Sequence, residues 1–193
     1  RYNQIEEQAD LGFAPDSSFP LTYAEKGLLQ VKLHGPGWDD LPLQAGQALN
    51  VVPDKATYAG YRLEELLPVL DQSGVQYSQT EDSVTVMGVS KHSKDAAEGV
   101  NAIVGLAESL SLIQPHPALL FIADAVGDDA TGEALFGKIT DEPSGDLSFN
   151  LATLVIDQEQ SEIGIDIRIP VLADKENLVA HLQEIAASYQ LEY

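Results

Sequence analysis

Two kinds of hydrophobic periodicity alternate along this chain, and their alternation limits the possible folds more than any other feature of the sequence. At residues 28–33, Leu29, Val31 and Leu33 occupy every second position, which is typical of a half-buried strand. Residues 61–72 instead place leucines at helical spacing, and Gly74 is expected to end that helix. The same patterns predict further strands at 48–52 or 48–58, 75–78, 83–89, 147–156, 163–169 and 190–193, and further helices at 94–113, 117–125 and 177–189.

The order strand, helix, strand occurs twice in this prediction, and the two occurrences have similar spacing. We therefore expect an α+β fold made of two ferredoxin-like βα modules, with mainly antiparallel sheets and helices packed on one face. The modules would cover approximately residues 23–90 and 91–193 and be interleaved. The two occurrences are residues 48–52, 61–72 and 75–78, and residues 163–169, 176–188 and 190–193.

The charge of the chain argues against several classes of partner. The 193 residues carry a formal net charge of −21, with 31 acidic residues against 10 Lys and Arg. Nucleic acids and anionic membranes are bound mainly through clustered basic residues, so we expect neither as a partner.

The absence of cysteine excludes disulfides and thiolate chemistry, so any metal would have to be held by carboxylate or imidazole groups. No run of about twenty apolar residues is present to span a bilayer. We expect a soluble, cytoplasmic protein.

Four short segments carry information beyond periodicity. Each is weak evidence alone, but together they occur in a fixed order along nearly the whole chain. They are residues 11–20 (LGFAPDSSFP), 50–56 (NVVPDKA), 88–102 (GVSKHS, then EGVNA at its end) and 165–170 (IDIRIP).

In this order the segments resemble the peptidase V-like dipeptidases of the M20 metallopeptidase family. The second segment is similar to the family's N-x-V-P-D/S-x-A signature, and the third to its G-x-x-x-H-[SA] strand end followed by G-x-N-A. The resemblance implies that residues 23–193 form the lid domain of a dipeptidase, and that residues 1–22 are the C-terminal edge of its catalytic zinc domain.

The resemblance also implies a role for one residue in each segment. Asp16 matches a carboxylate ligand of the two-metal site. Asn50 matches an asparagine that reaches toward the substrate, and His92 matches the lid histidine that stabilises the oxyanion. Arg168 matches the arginine that binds the C-terminal carboxylate of the substrate, a role that suits its planar, two-pronged guanidinium.

The cofactor implied by the resemblance is a pair of zinc ions, or manganese, held in the catalytic domain. The metal-binding histidines, the bridging aspartate and the glutamate pair of that domain have no counterpart in this sequence. We therefore expect the 193 residues alone to be inactive and to hold no metal stably. The implied partners are a dipeptide substrate and the chain's own catalytic domain.

Each of the four residues also has an ordinary structural interpretation. His92 could be a solvated turn residue, and Arg168 an edge residue or an ion-pair partner among the many acids. Asn50 could start a turn before Pro53, and Asp16 could cap a helix or form an Asx turn.

A different function is compatible with these structural interpretations. The chain would then be a stand-alone acidic α+β binding or assembly module without catalysis. The two hypotheses differ in gene context: a reading frame that continues on both sides, with H-x-D upstream and a late histidine downstream, indicates the dipeptidase.

Overall fold

The strand predicted at residues 28–33 is confirmed in the computed structural model, which describes residues 22–193. The predicted α+β class is confirmed as well, with every strand pair antiparallel. The elements are β1 (Gly27–Pro36), β2 (Leu43–Ala45), β3 (Lys55–Tyr58), α1 (Leu63–Ser73), β4 (Tyr77–Gln79), β5 (Val84–Met87), a 3-10 helix (Ser93–Glu98), α2 (Ala102–Ser111), α3 (Pro117–Leu120), a π-helical turn (Phe121–Val126), α4 (Glu133–Phe136), β6 (Thr140–Asp141), β7 (Gly145–Asp146), β8 (Ser148–Ile156), β9 (Gln160–Ile169) and α5 (Lys175–Ser188).

The largest sheet has four strands in the order β1-β9-β8-β2. Strand β1 keeps the predicted alternation, because its Leu29, Val31 and Leu33 are buried while Gln30 and Lys32 are exposed. Strands β8 and β9 are buried along most of their length, which requires cover on both faces of the sheet centre. The 3-10 helix supplies part of this cover, since it packs on β8 and β9.

A second sheet has three strands in the order β3-β5-β4. Helix α2 lies against both sheets, with contacts to β3, β5 and β8. Its Ile103, Leu106 and Leu110 are fully or almost fully buried in a core shared by both sheets. The prediction that Gly74 ends α1 is confirmed, because Gly74 has a φ of 74° at the C-cap.

The repeated strand, helix, strand order has a geometric counterpart. Strands β3 and β4, joined through α1, both pair with β5. Strand β9 pairs with β1, and Glu192, which follows α5, forms an antiparallel bridge to His34 of β1. Helix α1 therefore joins two strands that flank β5, and helix α5 joins β9 to a bridge residue on the other side of β1. The division into two ferredoxin-like modules stays a prediction.

One predicted helix is wrong, and two predicted strand ranges, 48–52 and 190–193, each contain only a single bridge. Residues 94–113 do not form one helix, because residues 99–101 separate the 3-10 helix from α2. Val100 there exchanges backbone hydrogen bonds with Val89, at 2.9 and 3.1 Å, and the Asn101 side chain caps α2. Residues 48–52 contain a turn and a single bridge, at Val51, so the strand lies only in the extension toward Tyr58, as β3. Residues 190–193 contain only the bridge at Glu192.

His116 is a buried histidine, since only 2% of it is exposed. It caps α3 through Nδ1, which accepts from the Ala118 N–H at 3.1 Å, and its Nε2 lies 3.0 Å from the Pro36 carbonyl oxygen. Burial lowers the pKa of this imidazole. Within residues 22–193, no helix is long and apolar enough to cross a membrane.

Candidate functional site

Asn50 and His92 lie on two short segments that pair with each other through backbone hydrogen bonds. The Ser93 N–H donates to the Asn50 carbonyl at 2.9 Å, and the Val52 N–H donates to the Lys91 carbonyl at 2.8 Å. Between these bonds, Val51 and His92 are bridge partners. Two residues that are far apart in sequence are thus neighbours, and both are exposed.

Asn150 of β8 holds the turn that carries Asn50 through two hydrogen bonds. The Asn150 amide nitrogen donates to the carbonyls of Leu49 and Val51, at 2.9 and 3.0 Å. Asn150 is only 1% exposed, and its Oδ1 has no hydrogen-bond partner among residues 22–193. Because both neighbours of Asn50 are held, the backbone presents its side chain in a defined place. The turn itself agrees with the structural interpretation of Asn50.

The orientation of the His92 ring follows from its position before the 3-10 helix. Its Nδ1 accepts from the Lys94 backbone N–H at 3.2 Å. In a neutral imidazole one ring nitrogen carries the proton and the other accepts. We therefore infer that the proton lies on Nε2, which makes the exposed end of the ring a hydrogen-bond donor.

Arg168 lies on β9 between Leu28 of β1 and Ser148 of β8. Its Nε donates to Asp166 Oδ1 at 2.7 Å, and its Nη2 lies 3.5 Å from Asp166 Oδ2. The Arg168 side chain is 21% exposed, whereas that of Asp166 is fully buried. The ion pair that was the structural alternative for Arg168 is therefore present.

Ser93 joins these residues into one cluster. Its hydroxyl oxygen accepts from Arg168 Nη2 at 3.2 Å, its N–H donates to Asn50, and its carbonyl accepts from the Ser148 hydroxyl. Ser93 itself is completely buried. Ser93 thus contacts Arg168 through its side chain and Asn50 through its backbone, and it directly follows His92. We call Asn50, His92, Ser93 and Arg168 the Ser93 cluster.

The remaining residues of the third segment have structural roles. A Cβ at Gly88 would lie 2.1 Å from the Val100 carbonyl oxygen, so only glycine allows the chain to pass there. The Asn101 Oδ1 accepts from two N–H groups of α2. Its Nδ2 donates at 2.6 Å to the carbonyl of Leu151, where the pairing of β8 and β9 shifts register. These contacts fix the chain before and after the stretch that contains His92 and Ser93.

Asp16, the predicted metal ligand, lies outside the described residues. Among residues 22–193, no group of three or more His, Asp or Glu side chains is arranged to hold a metal ion. The Ser93 cluster therefore offers hydrogen-bond donors and one cation, and we derive no metal chemistry from it.

The chain is similar in sequence to proteins named as dipeptidases. It is 32% identical over 213 aligned positions to a Bacillus subtilis (strain 168) protein named "Putative dipeptidase YtjP", which covers 98% of this chain and 46% of that protein. A Staphylococcus aureus (strain MW2) protein named "Putative dipeptidase MW1694" is 32% identical over 195 aligned positions, which cover 88% of this chain and 42% of that protein. The chain thus spans less than half the length of these relatives. No protein-family model matches it.

Sequence reasoning did not identify Ser93, Asp166 or Asn150 as parts of the site. Asp166 could have been found, because it precedes Arg168 by two positions and strand alternation puts both on one face. Ser93 lay within a recognised segment, but its contact with Arg168 spans 75 positions of sequence. Asn150 is the one amide side chain in the mostly apolar β8, which was the available signal for a buried polar contact.

Proposed function

We propose that the chain is the substrate-binding lid of a zinc-dependent dipeptidase of the M20 family, acting on short peptides with a free C-terminus. The observation that carries this proposal is that Ser93, which directly follows His92, contacts both of the other matched residues: its N–H donates to the Asn50 carbonyl, and its hydroxyl accepts from Arg168. The similarity to relatives named as dipeptidases supports the same class of reaction.

In the proposed reaction, the carbonyl carbon of the peptide bond is attacked by water, and negative charge develops on the carbonyl oxygen. A hydrogen-bond donor aimed at that oxygen stabilises the transition state. His92 is suited to this role, because its Nδ1 is occupied by the Lys94 N–H and its donor end is exposed. The C–N bond then breaks, and the proton from water passes to the leaving amine.

Arg168 would bind the C-terminal carboxylate of the substrate. Its guanidinium is held on one edge by Asp166 and Ser93, and its Nη1 has no hydrogen-bond partner among residues 22–193. Guanidinium groups bind carboxylates through directed, charge-assisted hydrogen bonds. Asn50 would supply a further polar contact to the substrate from the adjacent turn.

Zinc, held by Asp16 and by residues of a longer protein, would supply the activated water. The test is to express the complete reading frame and to measure hydrolysis of a free dipeptide before and after chelation. We expect chelation to abolish turnover and added zinc or manganese to restore it. Turnover that survives chelation, or no hydrolysis of any dipeptide, would contradict the proposal.

A further inference from the structure

Asp166 is a fully buried carboxylate with few partners. Apart from Arg168, its hydrogen-bond partner among residues 22–193 is Gln30 of β1, whose Nε2 donates to Oδ2 at 2.9 Å. A buried carboxylate without a positive partner is strongly unfavourable. The Arg168 guanidinium supplies the opposite charge, so the two side chains depend on each other.

The contacts of Arg168 are all on one side of its guanidinium. The Nε–H is directed to Asp166 at 2.7 Å, and Nη2 is held by the Ser93 hydroxyl at 3.2 Å. No partner of Nη1 is found within residues 22–193, and the side chain is 21% exposed. The inner edge is therefore fixed while the outer end keeps donors for a ligand.

Three separate elements set this arrangement. Asp166 is on the same face of β9 as Arg168, Gln30 reaches it from β1, and Ser93 is the first residue of the 3-10 helix that covers the sheet. Ser93 also directly follows His92 in sequence. The position of the guanidinium is thereby tied to the segment that carries the imidazole.

We propose that Asp166 and Ser93 are positioning residues, which orient the Arg168 guanidinium so that its outer end meets the substrate's C-terminal carboxylate. This proposal rests on the proposed function. A long side chain that is held in place before binding loses less rotamer freedom on binding than a mobile one. The two residues would thus increase affinity for a free C-terminus without touching the substrate.

The geometry can be tested first in the 193-residue chain itself. The chain has three arginines, Arg1, Arg62 and Arg168, so NMR signals of arginine Nε–H groups are few. We expect the Arg168 Nε–H to exchange with solvent at least tenfold more slowly than that of Arg62, whose ion pair with Glu65 is exposed. Asp166→Asn should remove this protection. Equal exchange at Arg168 and Arg62 would overturn the proposal.

The functional test uses the complete protein with Asp166→Asn and Ser93→Ala. Glu162→Gln is the matched control, because Glu162 is also a β9 carboxylate in an ion pair, 2.8 Å from Lys32. For a free dipeptide we expect Asp166→Asn to raise KM about tenfold and Ser93→Ala to raise it about threefold, with kcat changed less than twofold. A C-terminally amidated dipeptide should be processed equally by all variants.

Two results would overturn the positioning role. Either Asp166→Asn and Ser93→Ala leave KM for the free dipeptide unchanged, or they reduce turnover of both substrates alike, as a purely structural defect would. If Asp166→Asn does not fold, the KM of Ser93→Ala for the two substrates tests the positioning role.

Arg168→Lys, measured in parallel, separates the positioning role of Asp166 and Ser93 from the proposed binding of the carboxylate by Arg168. If it discriminates between the substrates and the other variants do not, only the positioning role fails; if it does not discriminate, the carboxylate-binding function fails as well.

Discussion

Replacing His92 with alanine in the complete protein is expected to lower kcat on the order of one hundredfold, with bound metal unchanged. The magnitude is that of one lost hydrogen-bond donor to a developing oxyanion. Because the His92 side chain is exposed and its only described hydrogen bond is with the Lys94 N–H, the variant should keep its fold. The measurements are steady-state kinetics on a free dipeptide and metal content by elemental analysis.

Two further variants make this result specific. His181→Ala removes an exposed histidine of α5, outside the Ser93 cluster, and should leave kcat unchanged. His92→Gln restores a side chain that can donate a hydrogen bond, so part of the lost rate should return. If His92→Ala leaves kcat intact, the imidazole is only a capping residue of the 3-10 helix.

Arg168→Lys in the complete protein should weaken binding of substrates with a free C-terminus. Lysine keeps the charge, but its three N–H donors share one nitrogen, so it cannot hold Asp166 and Ser93 and also present the two-pronged donor geometry that a carboxylate accepts. A free dipeptide should therefore lose roughly 1.5–3 kcal/mol, the contribution of a charged hydrogen bond. The values of kcat/KM for a free dipeptide and for its C-terminal amide provide the measurement.

The amide offers no carboxylate, so the wild-type protein and Arg168→Lys should process it equally poorly. Arg62→Lys is the matched control, since Arg62 forms an exposed ion pair with Glu65, away from the Ser93 cluster. Equal losses on both substrates would mean that Arg168 only supports the sheet through Asp166.

Local sequence patterns predicted those parts of the fold that local interactions decide. The alternation of β1 and the end of α1 at Gly74 both follow from residues close in sequence. The long helix at 94–113 was wrong because the break depends on Val100 pairing with Val89 across a loop. The helical spacing of apolar residues is compatible with either arrangement, so tertiary pairing decides.

The sequence predicted the candidate site only in part, because some contacts of the site depend on tertiary packing. The resemblance singled out Asn50, His92 and Arg168, and the structure places them around one serine. Their roles in binding and catalysis stay predictions, as does that of Asp16, which lies outside the described residues. The buried contact of Ser93 with Arg168 could not be read from sequence, because it arises from packing of the 3-10 helix on β9.

We propose that Asn50, His92 and Arg168 bind the substrate while the metal centre lies elsewhere in a longer protein. The most direct test of this proposal is to measure zinc stoichiometry and dipeptide turnover of the pure 193-residue chain, with added zinc or manganese and then with chelator. We expect no stoichiometric metal and no turnover, because Asp16 is the only residue of this chain that matches a ligand of the family's two-metal site. One or two bound metal ions together with chelator-sensitive hydrolysis by this chain would contradict the account.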